Sequence, residues 1–492
     1  MARSLELDLS ALKPLKGRQA PLLAFDFGTA FSKVAVILDR KGGEELPLPV
    51  GRIAARGQSR QLQNPYILAS TIFVKDGVML FGPRAYEEGI RAGEGRARFE
   101  SPKSLFNSDD LEAAAGRTLG ADVVPGDIGF TALELAQLYL AYLTAIASEA
   151  LEERGQPRHI ERRYAVPGWT PERARGYARA ISTLLANAQI LADTLRDRWH
   201  DGLPLALARE ALDALADMDA DPPRHLVAEG LAEATAAGNS IFNPRWRKPK
   251  LFVVVDVGAG TVDMAGFLVF KHRIITLTGF RVAQLEGTAR GYELAGNALD
   301  EAFVALALVK AGIAPGDPEH AKASRALARQ KRELKESLFQ PPYEVEVAVS
   351  RDEVVTVSRD ELLASPAVVA LAEGLRQEYR KVVEAIGAGP FERYGHELNV
   401  HLTGGGSRLP FVESLVDEAF EIGGRKLRII AQSGPPDWVE AADVDWLRDY
   451  PQLAVAIGAA RPTVPEGAGP YTPEGLHPVA PGRRRLARDP KD

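Results

Sequence analysis

The stretch Leu251–Asp263, LFVVVDVGAGTVD, decides the fold. An unbroken apolar run, rich in β-branched residues, leads into Asp256, then two glycines one residue apart, Thr261 and a second acid, Asp263. Such a run reads as a buried strand that ends in a tight turn, and the exposed N–H groups of a tight turn bind anions. The turn sets a carboxylate beside that anion. Mg²⁺ takes few protein carboxylates and bridges mainly through water and phosphate oxygens, so the pattern suits a Mg²⁺–nucleotide site.

A dinucleotide-binding turn is the competing reading, and there the glycines open a helix. Here MAGFLVF and RIITLTGF follow, which are apolar and strand-like, and Gly258-Ala259-Gly260 has no third glycine. A phosphate-cradling hairpin is favoured. An ordinary core hairpin is the plain alternative for this stretch taken by itself.

A second copy lies upstream in LLAFDFGTAFSKVAVILD, Leu22–Asp39, where Asp26-Phe27-Gly28 lines up with Asp256-Val257-Gly258. Two such hairpins suggest a duplicated fold whose half-sites face one ligand; two unrelated hairpins are the alternative. Between them, Pro65–Gly89 reads as two strands about an Asp-Gly turn followed by the start of a helix. Lys103 then falls in an irregular, exposed loop, where a lone lysine is ordinarily solvated. Thr131–Glu153 has a helical period and runs into the strand RRYAVPGW. A helix-rich segment spans Thr170–Asp221, and a strand-like HLVAE leads to the helical GLAEATAAG.

Downstream, Gly296–Gly312 and Ala321–Phe339 read as helices, and on the second of these Lys331 and Lys335 share a face one turn apart. Ser358 and Glu361 form a capping box. In LNVHLTGGGSRLPFVESLVDEAF, from Leu398, a strand meets Gly404-Gly405-Gly406 and a helix start at Pro410. This is an anion or ring-edge site with room for a flat ligand, and Arg408 beside it can stack on an aromatic ring. Pro451–Pro462 is a helix of small residues suited to close packing.

With 492 residues, 46% of them hydrophobic and 26% charged, the chain has the composition of a globular protein of two to four domains. A net charge of −6 gives no footprint for nucleic acid. Apolar runs long enough to span a membrane are absent, and the N-terminal segment has no signal-peptide core, which points to the cytoplasm. The absence of cysteine excludes disulfides, thiol catalysis and cysteine-bound zinc, and the eight histidines form no metal-ligand pair.

Taken in order, FDFGTAFSK, YAVPGW, VDVGAGTVD, LTGGGSRLP and LAVAIGAA resemble the five segments of the actin-like ATPase superfamily, most closely the nucleotide-binding domain of DnaK-type (heat-shock protein 70 family) chaperones. The resemblance spans Leu22 to about Ala460. It implies an α/β, duplicated ribonuclease-H-like fold with two lobes flanking a nucleotide cleft. The expected layout is a flexible segment 1–20, lobe I over 21–250 with a helical insertion near 170–221, lobe II over 251–460 and a disordered tail 461–492. The last helix, near 451–460, is expected to pack back on lobe I.

The resemblance also implies ATP/ADP and Mg²⁺ as ligands, with Asp26 and Asp256 holding the metal through water. Gly28, Thr29, Ala30, Phe31 and Lys33 would meet the phosphates from one side, and Gly258, Ala259, Gly260 and Thr261 from the other. Lys103 would face the transferred phosphate, while Glu229, or in a less favoured register Glu233, would polarise water together with Asp263. Pro167 and Arg175 resemble the pair that relays nucleotide state. Gly296, Lys331 or Lys335, the turn Gly404–Gly406 and Arg408 would enclose the nucleoside. Departures from the family are Gly230 where a proline follows the glutamate, Asn297 where a glutamate is expected, and Gly406 where a serine would reach the base.

The function so implied is a slow, chaperone-like ATPase whose lobe closure regulates a protein partner, without the chaperones' C-terminal peptide-binding domain. An actin-like filament former, a small-molecule kinase and a catalytically weak scaffold are the alternatives. The sequence carries no signal for oligomeric state, client or partner identity.

Overall fold

The computed structural model describes residues 5–15, 21–40, 45–56, 64–92, 95–108, 110–167, 171–243, 246, 248–274, 277–292, 295–350, 353–432, 434–436, 438, 445–462 and 464–465. Within these the chain is mixed α/β, built on two large sheets. The first contains β1 (Leu22–Asp26), β2 (Phe31–Ile37), β3 (Glu45–Pro47), β4 (Glu161–Val166) and β5 (Leu231–Ala232) in the order β3-β2-β1-β4-β5. The second contains β6 (Lys250–Val257), β7 (Val262–Ile274), β8 (Leu277–Gln284), β9 (Glu397–Thr403) and β10 (Arg428–Gln432) in the order β8-β7-β6-β9-β10.

Strand senses repeat along with the order. In each sheet the first three strands form an antiparallel meander, and the fourth and fifth run parallel to the first. A parallel pair needs a crossover, and helices supply it on both sheets. In the first half these are α1 (Ala132–Glu152), opened by a Thr131–Glu134 capping box, and α2 (Pro171–Thr194), which packs on α1. The helix α3 (Glu233–Ile241) follows β5 directly. In the second half come α4 (Gly296–Lys310), α5 (Lys331–Leu338) and α6 (Pro366–Ala385), then α7 (Tyr450–Ala460).

A shared layer joins the halves. Ala24, Ala35 and Ala165 of the first sheet and Phe252, Val254 and Phe267 of the second enclose α3 and α7 in one apolar core. The small side chains on the first sheet let α7 lie close to β1 and β2, and α3 in turn packs on β6 and β7. Because both faces of the strands are covered, β6 is buried at every position after Lys250, which is why its sequence is an apolar run without alternation. The outer face of the second sheet is closed by Leu375, Tyr379 and Val383 of α6 against Val253 and Val255.

Several elements differ from the sequence reading. The charged segment 321–339 is two helices, His320–Ala328 and α5. The helix expected from Pro410 is a single turn, Pro410–Glu413, continued by a 3₁₀ turn to Asp417. HLVAE is not a strand: it holds a 3₁₀ turn, Arg224–Leu226, and the strand lies further on at Leu231–Ala232. In the N-terminal segment, expected to be flexible, Ala11 is buried and the Leu5 N–H donates to Glu210. The residues after 465, where a disordered tail was expected, lie outside the described residues, as do 1–4 and 16–20. Among the described residues, no helix is long and apolar enough to cross a membrane.

Candidate functional site

The β1–β2 and β6–β7 turns meet where the two sheets converge. A Cβ on Gly260 would stand 2.9 Å from the Thr29 hydroxyl of the other hairpin. In both turns the carbonyls are tied away. Gly28 O and Ala30 O accept from the Ser70 hydroxyl and N–H, at 2.8 and 3.0 Å. Gly258 O and Ala259 O accept from the N–H groups of Gly296 and Asn297, at 3.3 and 2.7 Å, at the start of α4. A trans peptide points its N–H opposite to its C=O. The N–H groups of Thr29, Phe31, Ala259 and Gly260 therefore point away from these anchors.

Equal spacing puts equivalent positions side by side. Asp26 is the cross-strand neighbour of Lys33, and Asp256 that of Asp263. The Lys33 ammonium donates to Asp26 Oδ2 at 2.9 Å, while Thr261 Oγ1 donates to Asp263 Oδ2 at 2.8 Å. Thr403, next to Asp256 on the parallel strand β9, donates its hydroxyl to Asp256 Oδ1 at 3.1 Å.

A second ion pair closes the floor. Lys103, expected in an exposed loop, is 5% exposed within a 3₁₀ turn, Pro102–Asn107, and its ammonium donates to Glu233 Oε1. Glu233, the first residue of α3, is equally buried. Glu229 is exposed, with Arg163 and Tyr164 as charged and polar neighbours, so the carboxyl that reaches the aspartates is that of Glu233. Of the two registers read from the sequence, the strand brings Glu233 to the aspartates: pairing of Leu231–Ala232 with Ala165–Val166 carries the next residue, not Glu229, to the sheet edge.

Four carboxyl groups and two ammonium groups thus share one buried region. Burial, then the charges of Asp26 and Asp263, push the Asp256 carboxyl up to about 7. Burial also raises Glu233, helped by Asp263 and Asp26 and opposed by Lys103. Burial works against the charge on Lys103, but Glu233 and Asp26 outweigh it and hold the ammonium above the ordinary lysine value. The region is short of positive charge. That shortage fits a hard divalent cation beside Asp256. Among the described residues no three acids or histidines converge tightly enough to hold a metal directly.

The outer residues divide. Lys335 pairs with Asp300 at 2.5 Å and donates to Gly296 O at 3.4 Å, which ties α5 to the start of α4. Lys331 lines a polar cavity together with Arg98, Ser101, Asn297 and Arg332. The Arg332 guanidinium, which the sequence reading did not single out, lies 5.0 Å from the Phe31 ring and 5.4 Å from that of Tyr86. Gly404 has φ +85° and backs on to the Val257 carbonyl, where a Cβ would come within 2.3 Å, so the turn requires glycine. Gly405 is exposed, Gly406 donates its N–H to Val257 O at 3.0 Å, and Arg408 is exposed near Asp449. Pro167 is buried at the end of β4, and the side chain of Arg175 lies outside the described residues.

The chain matches no family model and no curated protein sequence. Its chemistry therefore rests on the residues themselves. A turn pair rich in outward N–H groups, with the ammonium groups of Lys33 and Lys103 and a floor of carboxyl groups beside it, can hold a polyphosphate and its cation. Thr403 and Ser70, which fasten Asp256 and the first turn, escaped the sequence reading because each acts through a strand register that only the fold reveals.

Proposed function

We propose that the chain is a Mg²⁺-dependent ATPase with a duplicated ribonuclease-H-like, actin-like fold, related in kind to the DnaK-type chaperones, whose lobe closure regulates a protein partner. The observation that carries this reading is the meeting of two equivalent Asp-x-Gly turns, one from each of two sheets with the same order and senses. A single glycine turn is common; two at matching places, facing each other over four carboxyl groups, suit a ligand gripped from both sides.

Phosphoryl transfer to water needs positioning and charge neutralisation more than covalent chemistry. The N–H groups of Thr29, Phe31, Ala259 and Gly260 would hold phosphate oxygens. Lys103 would meet the transferring phosphate, and Glu233, released from part of its pairing, would orient water and take its proton. Thr261 would bind the terminal phosphate while Asp263 fixes the Thr261 hydroxyl. Mg²⁺, when bound, would supply neutralising charge to the phosphates, and Asp26 and Asp256 would hold it through water. Lys335, Arg332, the Gly404–Gly406 turn and Arg408 are the groups closest to a nucleoside in this scheme.

A ligand spanning both turns couples lobe separation to its own length, so ATP and ADP would favour different closures, which a protein partner could read. Release of inorganic phosphate from Mg²⁺–ATP by purified protein, lost in Glu233→Gln and retained in Glu229→Gln, tests the reading. Absence of both nucleotide binding and phosphate release would overturn it.

A further inference from the structure

The second sheet carries a cavity at the end of β6 away from the glycine turns. Phe252 and Val254 of β6 lie beside Asn399 and His401 of β9, and His401 lies beside Gln432 of β10, so these side chains share the sheet face that α3 covers over β6. Past Ile241, the last residue of α3, a pocket remains between Trp246, Lys250, Phe252, His401, Gln432 and Pro435. Along β6, Lys250 and Asp256 stand about 20 Å apart at the rise of an extended strand, which separates this pocket from the paired turns. Its walls are aromatic: the Trp246 and His401 rings meet Phe252 edge to face, with centroids 6.3 and 5.8 Å away.

The polar groups in these walls are chiefly donors. The Lys250 ammonium lies 4.4 Å from the centre of the Trp246 ring and, among the described residues, pairs with no carboxylate. The indole N–H of Trp246 is buried and has no acceptor. Gln432 donates from its amide to Asn399 Oδ1 at 3.5 Å, which leaves its second amide N–H. Burial, then the Lys250 charge, pushes the His401 imidazole down to about 3, so Lys250 is the one charged group among the described lining residues. A buried donor left unsatisfied is costly, and an orphaned indole N–H beside an unpaired ammonium suits a negatively charged acceptor. We propose that this pocket binds a carboxylate carried on a small apolar or aromatic body, the carboxylate accepting from Lys250 and Trp246 and the body lying against Phe252, His401 and Pro435. A carboxylate only accepts and bears one charge, which one ammonium balances. A phosphate dianion would bring a second charge that nothing in the described wall neutralises, and such a charge is expensive out of water. The site stands whether or not the glycine turns hold nucleotide.

The test follows the Trp246 indole N–H by nuclear magnetic resonance in the full chain, isotope-labelled at tryptophan, with the signal assigned by its loss in Trp246→Phe. Benzoate should move the signal downfield and saturably as the N–H gains an acceptor. Benzamide, of the same shape without the charge, should bind about tenfold more weakly, and phenyl phosphate should also be weaker than benzoate. Lys250→Met should lose about tenfold in benzoate affinity and leave benzamide unchanged, while Lys250→Arg keeps most of the affinity. Melting temperatures of the free proteins establish that the variants fold. Should Lys250→Met not fold, calorimetric titration of Trp246→Phe decides the matter: benzoate affinity falls several-fold, and an unchanged affinity counts against the site. N-acetylglycylphenylalanine, which ends as a protein chain does, separates two sources of the carboxylate. Tighter binding than benzoate points to the terminus of a partner chain, and weaker binding to a free small molecule. Equal affinity for benzoate and benzamide, tighter binding of phenyl phosphate than of benzoate, or a Trp246 signal that neither carboxylate moves would overturn the assignment, with nucleotide binding at the glycine turns untouched by any of these results.

Discussion

Gly260 lies against Thr29, the turn of one hairpin touching that of the other across the junction of the two sheets. A side chain on Gly260 has to displace the threonine. Gly260→Val should cost about 1–3 kcal/mol, the usual penalty for overpacking, and should weaken nucleotide binding by forcing the turns apart. Adding Thr29→Ala should recover much of the stability. Chemical unfolding of the single and double variants measures both terms; an additive double variant would mean that the turns do not press on each other.

The buried Lys103–Glu233 pair gives a second test. Removing one partner of a buried ion pair typically costs about 3–5 kcal/mol, because the other is left without compensation, whereas replacing both with apolar groups often costs little. Lys103→Met should therefore destabilise the protein strongly, and Lys103→Met/Glu233→Leu should be more stable than Lys103→Met. Denaturant midpoints at neutral pH report the difference.

Asp256 contributes to the pH dependence of the ligand-free protein, in the same direction as the raised carboxyl of Glu233. The Asp256 carboxyl titrates near 7 when folded, against 3.8 for an aspartate free of these surroundings. Between these values the folded state holds a proton that the unfolded state has released, so stability falls as pH rises through the window. At about 1.4 kcal/mol per pH unit the effect is of the order of 4 kcal/mol across it. Asp256→Asn should lessen the slope, leaving the part due to Glu233, and raise the melting temperature at pH 8, where the wild-type carboxylate is charged and crowded by Asp26 and Asp263. A variant that is less stable at pH 8 would contradict this electrostatic account.

The two glutamates separate by activity. Glu229 is exposed and Glu233 is buried with the aspartates. Glu233→Gln should lower single-turnover phosphate release about 10²-fold or more, the range for loss of a general base, and Glu229→Gln should leave it unchanged. The opposite result would restore the register first read from the sequence.

Both hairpins were legible in the sequence because strands covered on both faces are continuous apolar runs, and the turn residues that end them are few in kind. Thr131–Glu153 was legible through its period, and Ser358–Glu361 through its capping chemistry. The burial of Glu233 was not legible because the Glu-Pro pattern of the resemblance favours Glu229, and because the two-residue strand Leu231–Ala232 owes its conformation to pairing with β4 and not to propensity. Local sequence gives Lys103 only the character of a solvated loop residue, since nothing local signals burial and its partner is 130 positions away; the resemblance alone brings it to the site. Arg332 lies over the rings of Phe31 and Tyr86, far away in sequence, a contact that helical spacing within its own segment does not encode.

The central claim is that the two turns grip one Mg²⁺-bound nucleotide, and thermal unfolding tests it most directly. Mg²⁺–ATP should raise the melting temperature of the wild type, since a ligand that binds only the folded state stabilises it, and Asp256→Asn should abolish the Mg²⁺-dependent part of that shift while remaining folded. Equal stabilisation of wild type and Asp256→Asn by Mg²⁺–ATP, or no stabilisation of the wild type, would contradict the account.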